Sequence, residues 1–270
     1  MRERFVDTRL GRFALTARGA LETLIALYSR PENIGVLIND QIATSLLVRL
    51  CRENKSFIDV GAHIGSIVSQ VAYHGPSIKI VAIEPIPGKV ANLRRRFANI
   101  EVIGCALGDT DLGEIAFFIH KKRSGYSSLI KPRQDADTIE IKVPLRKLDN
   151  LISPSDSVDV IKIDVEGAEL GVLRGSENLI SRNRPVVMFE SGPVAEHDFG
   201  YSKEDMWRWW NERAYELLLP NRVAHDGSGM SLDCFLDAHV YPRHTTNYFA
   251  VPTERRIEIR DRARVLNKVL

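Results

Sequence analysis

Three acidic residues are spaced along the sequence so that they could accept a proton from a bound hydroxyl group. Asp164 and Glu166 follow the apolar run Val158–Ile163, and Glu190 follows a second apolar run, Val186–Phe189. Both runs predict buried strands of a parallel sheet. Because the carboxyl ends of such strands meet at one edge of the sheet, we expect Asp164, Glu166 and Glu190 to form an acidic pocket. One of these carboxylates would act as a general base, and the spacing does not decide which.

Other roles for this acidic turn stay open at this point. Glu166 and Glu169 stand at the start of the predicted helix Ala168–Leu173, where the helix N-terminus stabilises acidic side chains. The carboxylates would also suit Mg²⁺, which prefers oxygen ligands. No histidine or asparagine is clearly placed to complete a metal shell, so the sequence predicts no metal site.

A glycine turn follows the first predicted strand, Ser56–Val60, in the sequence DVGAHIG at positions 59–65. Gly61 would let a ligand approach the backbone, and Gly65 would let the next helix pack against the strand. The spacing differs from G-x-G-x-x-G, the pattern of turns that hold a pyrophosphate. Asp59 would repel a pyrophosphate, but it would attract a ligand that carries an ammonium group.

Two further strand ends complete a predicted cofactor pocket. Glu84 ends the strand predicted over Ser77–Ile83, where an acidic side chain can bind both hydroxyls of a ribose. Cys105 and Ala106 end the strand predicted over Ile100–Leu107, where the backbone would lie along an adenine. Cys105 could instead be a buried core thiol. The predicted pocket has a site for an ammonium group and a site for a ribose, but it lacks a turn that would bind a pyrophosphate. It therefore fits S-adenosylmethionine better than NAD.

The order of the predicted elements indicates an α/β fold. Strand-like runs alternate with helical patterns from Ser56 onward, which is typical of a mostly parallel sheet with helices on both faces. Two segments within this order, Glu114–His120 and Ile139–Val143, alternate like an antiparallel pair. The C-terminal part predicts the helix Lys203–Ala214, the strands Tyr215–Leu219 and Asn247–Val251, and the helix Glu254–Leu270.

The composition excludes several classes of protein. The 270 residues include 37 Lys and Arg against 35 Asp and Glu, a net charge of +2, whereas nucleic-acid-binding domains are usually strongly basic. Three widely spaced cysteines argue against a disulfide framework and favour a reducing compartment. No apolar run approaches the ~18 residues that span a membrane, so we expect a cytoplasmic protein. Five arginines within Met1–Ala20 leave open a basic amphipathic helix, packed on the domain or lying on a membrane surface.

Four segments together resemble the FkbM-type family of S-adenosylmethionine-dependent class I methyltransferases. They are FIDVGAHIG at 57–65, AIEP at 82–85, CALGD at 105–109 and IKIDVEGAELGVLRG at 161–175. The resemblance implies a seven-stranded, mostly parallel Rossmann-like sheet with helices on both faces. It also implies S-adenosylmethionine as methyl donor and O-methylation of a hydroxyl on a sugar or secondary metabolite.

The resemblance also implies roles for individual residues. Asp59, Gly61 and His63 would line the methionine part of the cofactor, and Asp164 would lie near the transferable methyl group. Where this chain has His63, the family more often has asparagine, and either side chain can hydrogen-bond a carboxylate or an amine. The full set of residues expected to bind the cofactor is Asp59, Gly61, His63, Gly65, Glu84, Pro85, Cys105 and Ala106.

The sequence predicts three regions: a helical extension over 1–50, a methyltransferase domain over 51–252 and a helix over 253–270 that could serve a homodimer. The expected partner is a small molecule or glycan with a free hydroxyl, contacted by Lys121–Gln134 and Glu196–Trp210. Neither nucleic acid nor a membrane span is expected. Two alternatives stay open, an NAD-dependent oxidoreductase on a doubly wound sheet and a non-catalytic protein that keeps the cofactor-binding fold.

Overall fold

The computed structural model describes residues 21, 23, 25–121, 127–130, 137–192 and 199–267 of the chain. These residues form two β-sheets. The strands are β1 (Ser56–Val60), β2 (Lys79–Ile83), β3 (Glu101–Ile103), β4 (Ala106–Leu107), β5 (Leu112–His120), β6 (Thr138–Arg146), β7 (Val158–Ile163), β8 (Val186–Glu190), β9 (Tyr215–Leu218) and β10 (Asn247–Pro252). The helices are α1 (Ile34–Leu50), α2 (Ser66–His74), α3 (Pro87–Arg96), α4 (Glu169–Arg174), α5 (Glu177–Asn183), α6 (Lys203–Glu212), α7 (Leu232–Asp237) and α8 (Arg256–Asn267).

The larger sheet has seven strands in the order β3-β2-β1-β7-β8-β10-β9. The first five strands in this order pair in parallel, and β10 runs antiparallel to both β8 and β9. The predicted seven-stranded, mostly parallel sheet is therefore confirmed. β1 and β7 are adjacent, so the ends of both strands, which carry Asp59 and Asp164, open at the same edge.

The smaller sheet has the order β4-β6-β5, and β5 and β6 form the predicted antiparallel pair. The prediction of one continuous strand over Ile100–Leu107 is wrong. Glu101–Ile103 pairs with β2 in the large sheet, whereas Ala106 and Leu107 pair with β6 in the small one. The chain leaves the large sheet between these two segments, at Gly104 and Cys105, which no strand includes.

Helices and apolar side chains cover both faces of the large sheet. One buried cluster centres on Phe57, Leu47 and Phe249, and the other on Phe189 and Trp210. The ring of Trp210, which is fully buried, lies 5.6 Å from the ring of Phe189, centroid to centroid. Burying large aromatic groups of this kind supplies much of the free energy that holds a sheet and its helices together.

A buried ionic cluster joins the terminal helix to the start of β7. Asp159, whose side chain is 2% exposed, accepts hydrogen bonds from Arg52 (2.6 and 2.8 Å) and from Arg255 (2.8 Å). Arg262 of α8 lies 3.3 Å from the same carboxylate. Burial alone would raise the pKa of Asp159, but the three arginines hold it below its usual range. The carboxylate therefore links three segments that are distant in sequence.

The substitution Asp159→Asn is expected to destabilise the fold by about 1.5–3 kcal/mol, because it removes a buried anion that three partly exposed arginines share. Urea denaturation would measure the loss. The stabilisation should be present above the pKa of an unfolded aspartate and should fade as the pH falls through the lowered pKa of the folded state.

Asp156→Asn is the matched control, since Asp156 pairs with the half-exposed Lys79 at 2.7 Å. Pairs of this kind are worth less than about 1 kcal/mol. Equal losses in the two variants would contradict a special role for Asp159.

Among the described residues, no helix is long and apolar enough to cross a membrane. Residues 1–20, with their five arginines, lie outside the described part of the chain, and so do 122–126, 131–134 and 196–198 of the predicted acceptor-contacting segments.

Candidate active site

A cavity of about 320 Å³ opens at the carboxyl ends of β1, β2 and β7. The small sheet closes one side of it with Phe117, and the segment that bridges to β5 at Ser128 adds Ser127 and Leu129. Of the cofactor-binding residues predicted above, seven line this cavity: Asp59, Gly61, His63, Glu84, Pro85, Cys105 and Ala106. Asp164 and Glu166 line it as well.

The eighth predicted residue, Gly65, is not among the cavity-lining residues. Gly65 has a φ of +77° and precedes α2, and an added Cβ would lie 2.7 Å from Leu93 and 2.8 Å from Phe97. Its role in the structure is helix packing, which leaves no room for a side chain. Cys105 does line the cavity, although it is buried, and burial raises the pKa of its thiol to about 11.

Gly61 brings the first turn directly against the turn that follows β7. Its φ is +79°, and a Cβ built on it would lie 1.9 Å from the backbone oxygen of Asp164. Only glycine permits both this conformation and this approach. The turn continues through His63, which also has a positive φ of 52°.

Glu84 joins the ends of β1 and β2. Its carboxylate accepts hydrogen bonds from the backbone N–H groups of His63 (2.9 Å) and Ile86 (3.0 Å). The side chain is 3% exposed, and burial raises its pKa. Each carboxylate oxygen can accept a further hydrogen bond, so Glu84 can hold the turn and still bind a ligand hydroxyl.

Lys162 lies between the two aspartates of the site. Its Nζ is 3.2 Å from Asp59 Oδ1 and 3.3 Å from Asp164 Oδ2, and it donates to the backbone oxygen of Gly61 at 3.3 Å. Burial raises the pKa of Asp59, and the ammonium opposes that shift. For Asp164, burial is outweighed by Lys162 and by a hydrogen bond from Glu190, so its pKa is lowered.

The three carboxylates of the predicted acidic pocket do come together. One oxygen each from Asp164, Glu166 and Glu190 lies within 4.8 Å of the other two. Burial, followed by the charge of Asp164, raises the pKa of Glu166 to about 8 and that of Glu190 to about 10. At neutral pH Glu190 is therefore a carboxylic acid that donates to Asp164, whereas Glu166 is close to its titration point.

Glu169 serves the turn before α4, as its predicted position at the helix start suggested. One carboxylate oxygen accepts from the N–H groups of Val165 (3.0 Å) and Gly167 (3.1 Å), and the other accepts from the Tyr201 hydroxyl at 3.3 Å. Burial raises its pKa to about 7. These contacts hold the backbone on which Glu166 is placed, with a φ of +56°.

Sequence reasoning missed two contributions to the site. Lys162 lies within the acidic motif and was assigned no role, although a lysine inside the apolar run VDVIKI is itself a signal of a buried charge partner. The pattern of the small sheet predicts an antiparallel pair but does not show that Phe117 faces the cavity. Ser127 and Leu129, which also line the cavity, lie within the segment Lys121–Gln134 that the sequence predicts to contact the acceptor.

The strand order, the antiparallel β10 and a site at the carboxyl ends of the parallel strands define a class I methyltransferase fold. Residues 59–217 match the family model described as "Methyltransferase FkbM domain". The match covers more than half of the chain, and the chain belongs to the FkbM methyltransferase family.

Two curated relatives match part of the chain. Methyltransferase 1 of Beauveria bassiana (strain ARSEF 2860) is 25% identical over 150 residues, which is 47% of this chain and 60% of the relative. Methyltransferase sdnD of Sordaria araneosa is 26% identical over 157 residues, which is 45% of this chain and 60% of the relative. The match thus spans three fifths of each relative.

Solved structures resemble the chain more distantly. The FkbM methyltransferase of Methylobacillus flagellatus KT has 19% sequence identity and a TM-score of 0.43, and the match covers 73% of this chain and 43% of that one. A TehB-like SAM-dependent methyltransferase from Corynebacterium glutamicum has 11% identity and a TM-score of 0.39, over 77% and 85% of the two chains.

Proposed function

We propose that the chain is an S-adenosylmethionine-dependent O-methyltransferase, acting on a hydroxyl group of a sugar, glycan or secondary metabolite. The observation that carries this proposal is Asp59. It is 1% exposed and borders the cavity, yet beyond its ion pair with Lys162 neither carboxylate oxygen accepts a hydrogen bond from any residue that the structure describes. A buried carboxylate with so few donors is costly, and a ligand that brings an ammonium group would satisfy it.

The other lining residues fit the same cofactor. Glu84 keeps acceptor capacity for ribose hydroxyls, and Cys105 and Ala106 offer a largely apolar wall for an adenine. Gly61 keeps the backbone close to the ligand side of β7. When bound, S-adenosylmethionine would supply an electrophilic methyl group, so that the protein has mainly to orient the acceptor hydroxyl and remove its proton.

We assign the proton-removing role to Glu166. A general base works best when its pKa lies near the working pH, and the pKa of Glu166 is about 8. Asp164 is a weaker base because its pKa is lowered, and its carboxylate is already engaged by Lys162. Glu190, with a pKa of about 10, holds its own proton and does not border the cavity.

The binding test is isothermal calorimetry with S-adenosylmethionine, S-adenosylhomocysteine and NAD. S-adenosylmethionine is expected to bind at least roughly a hundredfold more tightly than NAD, because Asp59 would repel the pyrophosphate and DVGAHIG lacks the glycine spacing of a phosphate turn. Tighter binding of NAD would favour the oxidoreductase alternative instead.

Methyl transfer itself is tested with a panel of hydroxyl acceptors and isotopically labelled S-adenosylmethionine. Sugars, glycans and hydroxylated secondary metabolites form the panel, with the same compounds lacking the free hydroxyl as controls. Binding of S-adenosylmethionine without transfer to any member of a broad panel would favour a non-catalytic cofactor-binding protein.

A further inference from the structure

Lys162 is a buried cation whose position is set by the sheet itself. It sits in β7 between Ile161 and Ile163, which are fully buried, and its own side chain is 9% exposed. In the pairing of β1 with β7, Asp59 lies directly opposite Lys162. Two side chains on the same face of adjacent strands are held at short range by the register, without help from a loop.

A buried ammonium is costly unless it is paired, and Lys162 has two carboxylate partners at 3.2 and 3.3 Å. Without the ammonium, Asp59 and Asp164 would face each other as like charges and would share a proton. With it, both can remain ionised. Two carboxylates and one ammonium leave the trio with a single net negative charge.

That net charge matters because the methyl donor and its product differ by one positive charge. The donor carries a sulfonium, whereas the demethylated product carries a neutral thioether, and the two are otherwise alike. A fixed negative charge at this wall of the cavity would stabilise the donor and leave the product without that gain.

We propose that Lys162 is a positioning residue that keeps Asp59 and Asp164 ionised together, and that the net negative charge of this trio selects the sulfonium donor over its thioether product. The inference rests on the proposed function, and it adds a reason for turnover, since product that binds weakly leaves readily.

Several other titratable groups face the trio from the surrounding elements, and none of them is substituted in the variants compared below. They are His63 in the glycine turn, Glu84 after β2, Glu166 in the turn after β7, and Glu190 at the end of β8.

The first test compares the wild type with two variants that differ in the net charge of the trio. Calorimetry at pH 7 measures the ratio of the dissociation constants, product over donor, for each protein. Asp59→Asn makes the trio neutral, so the ratio should fall by roughly tenfold. The double variant Asp59→Asn with Lys162→Met restores one net negative charge, so its ratio should return close to the wild-type value. Both ligands carry the same ammonium group, so loss of that contact cancels in the ratio.

Lys162→Met alone provides a readout that needs no ligand. Its two facing carboxylates should take up a proton that is held more tightly in the folded state than in the unfolded chain. The melting temperature of this variant relative to wild type should therefore drop further as the pH rises from 6 to 9. The double variant, which keeps only one of these carboxylates, should lose most of that dependence.

The outcomes distinguish failure of the proposed function from failure of the charge-selection role. If the wild-type protein binds neither ligand, the proposed function is wrong. If it binds both, but Asp59→Asn leaves the ratio unchanged or the double variant fails to restore it, the charge-selection role is wrong. Should Asp59→Asn not fold, the ligand-free measurement on Lys162→Met decides the question, since a loss of melting temperature that does not grow between pH 6 and 9 would contradict the role assigned to Lys162.

Discussion

Replacing Glu166 by glutamine is expected to lower kcat for methyl transfer by roughly 10²- to 10⁴-fold, the usual contribution of a general base. The dissociation constant for S-adenosylmethionine should change little at pH 7, because a carboxyl group with a pKa of about 8 is mostly protonated there and glutamine resembles its neutral form. In the wild-type enzyme kcat/KM, which reports the ionisation of the free enzyme, should rise with pH through about 8 as Glu166 loses its proton. In the variant that rise should disappear. Values of kcat/KM measured between pH 6 and 9 would check both statements.

Glu190→Gln is the matched control for this prediction. It makes the same chemical change within 4.8 Å of the same carboxylates, but Glu190 is already protonated and an amide can still donate to Asp164. We therefore expect only a small effect on kcat and an unchanged pH profile. A large loss in Glu190→Gln, together with an active Glu166→Gln, would move the base from Glu166 to Glu190.

The second large effect is expected for Gly61→Ala, which should weaken S-adenosylmethionine binding by at least roughly a hundredfold. The added Cβ would lie 1.9 Å from the backbone oxygen of Asp164, and that oxygen belongs to a turn that cannot rotate away like a side chain. The positive φ of 79° adds about 1–2 kcal/mol of backbone strain. The turn and the strand end beside it must separate, and the cavity wall moves with them. Calorimetry would measure the binding, and urea denaturation would measure the accompanying loss of stability.

Gly35→Ala gives the comparison for this substitution. Gly35 lies in the first turn of α1, where an added Cβ would meet no atom within 4 Å, so alanine should be neutral or should stabilise the helix by up to about 1 kcal/mol. If Gly61→Ala binds the donor like wild type, the close approach of the two turns is not needed for the site.

The glycine turn and the acidic turn were predictable from sequence because both are local. Each follows a short apolar run, and the rule that ligands bind at the carboxyl ends of parallel strands placed both turns at one edge. The separation of β3 from β4 was not predictable in the same way, since Ile100–Leu107 reads as one apolar segment. Its two halves pair with partners far along the chain, and a periodicity of two residues carries no information about the partner strand.

The roles of the carboxylates could likewise be predicted only in part from the sequence. Asp164, Glu166 and Glu190 could be named from sequence as a group, but not ranked, because their protonation depends on neighbours in space. Burial and mutual repulsion separate their pKa values. The ammonium of Lys162 that lowers the pKa of Asp164 is itself held in place by Asp59, which lies opposite it in the register of β1 against β7.

The sequence by itself determined the fold class, the family resemblance and the strand ends at which chemistry would be found. It could do so because apolar periodicity and turn residues act over a few neighbouring positions. Only the tertiary structure decided that Lys162 lies between Asp59 and Asp164, that Gly65 does not line the cavity, and that the small sheet closes the cavity. These features are through-space contacts between segments far apart in the chain, and electrostatic energies at a buried site depend on those distances and on burial rather than on sequence spacing.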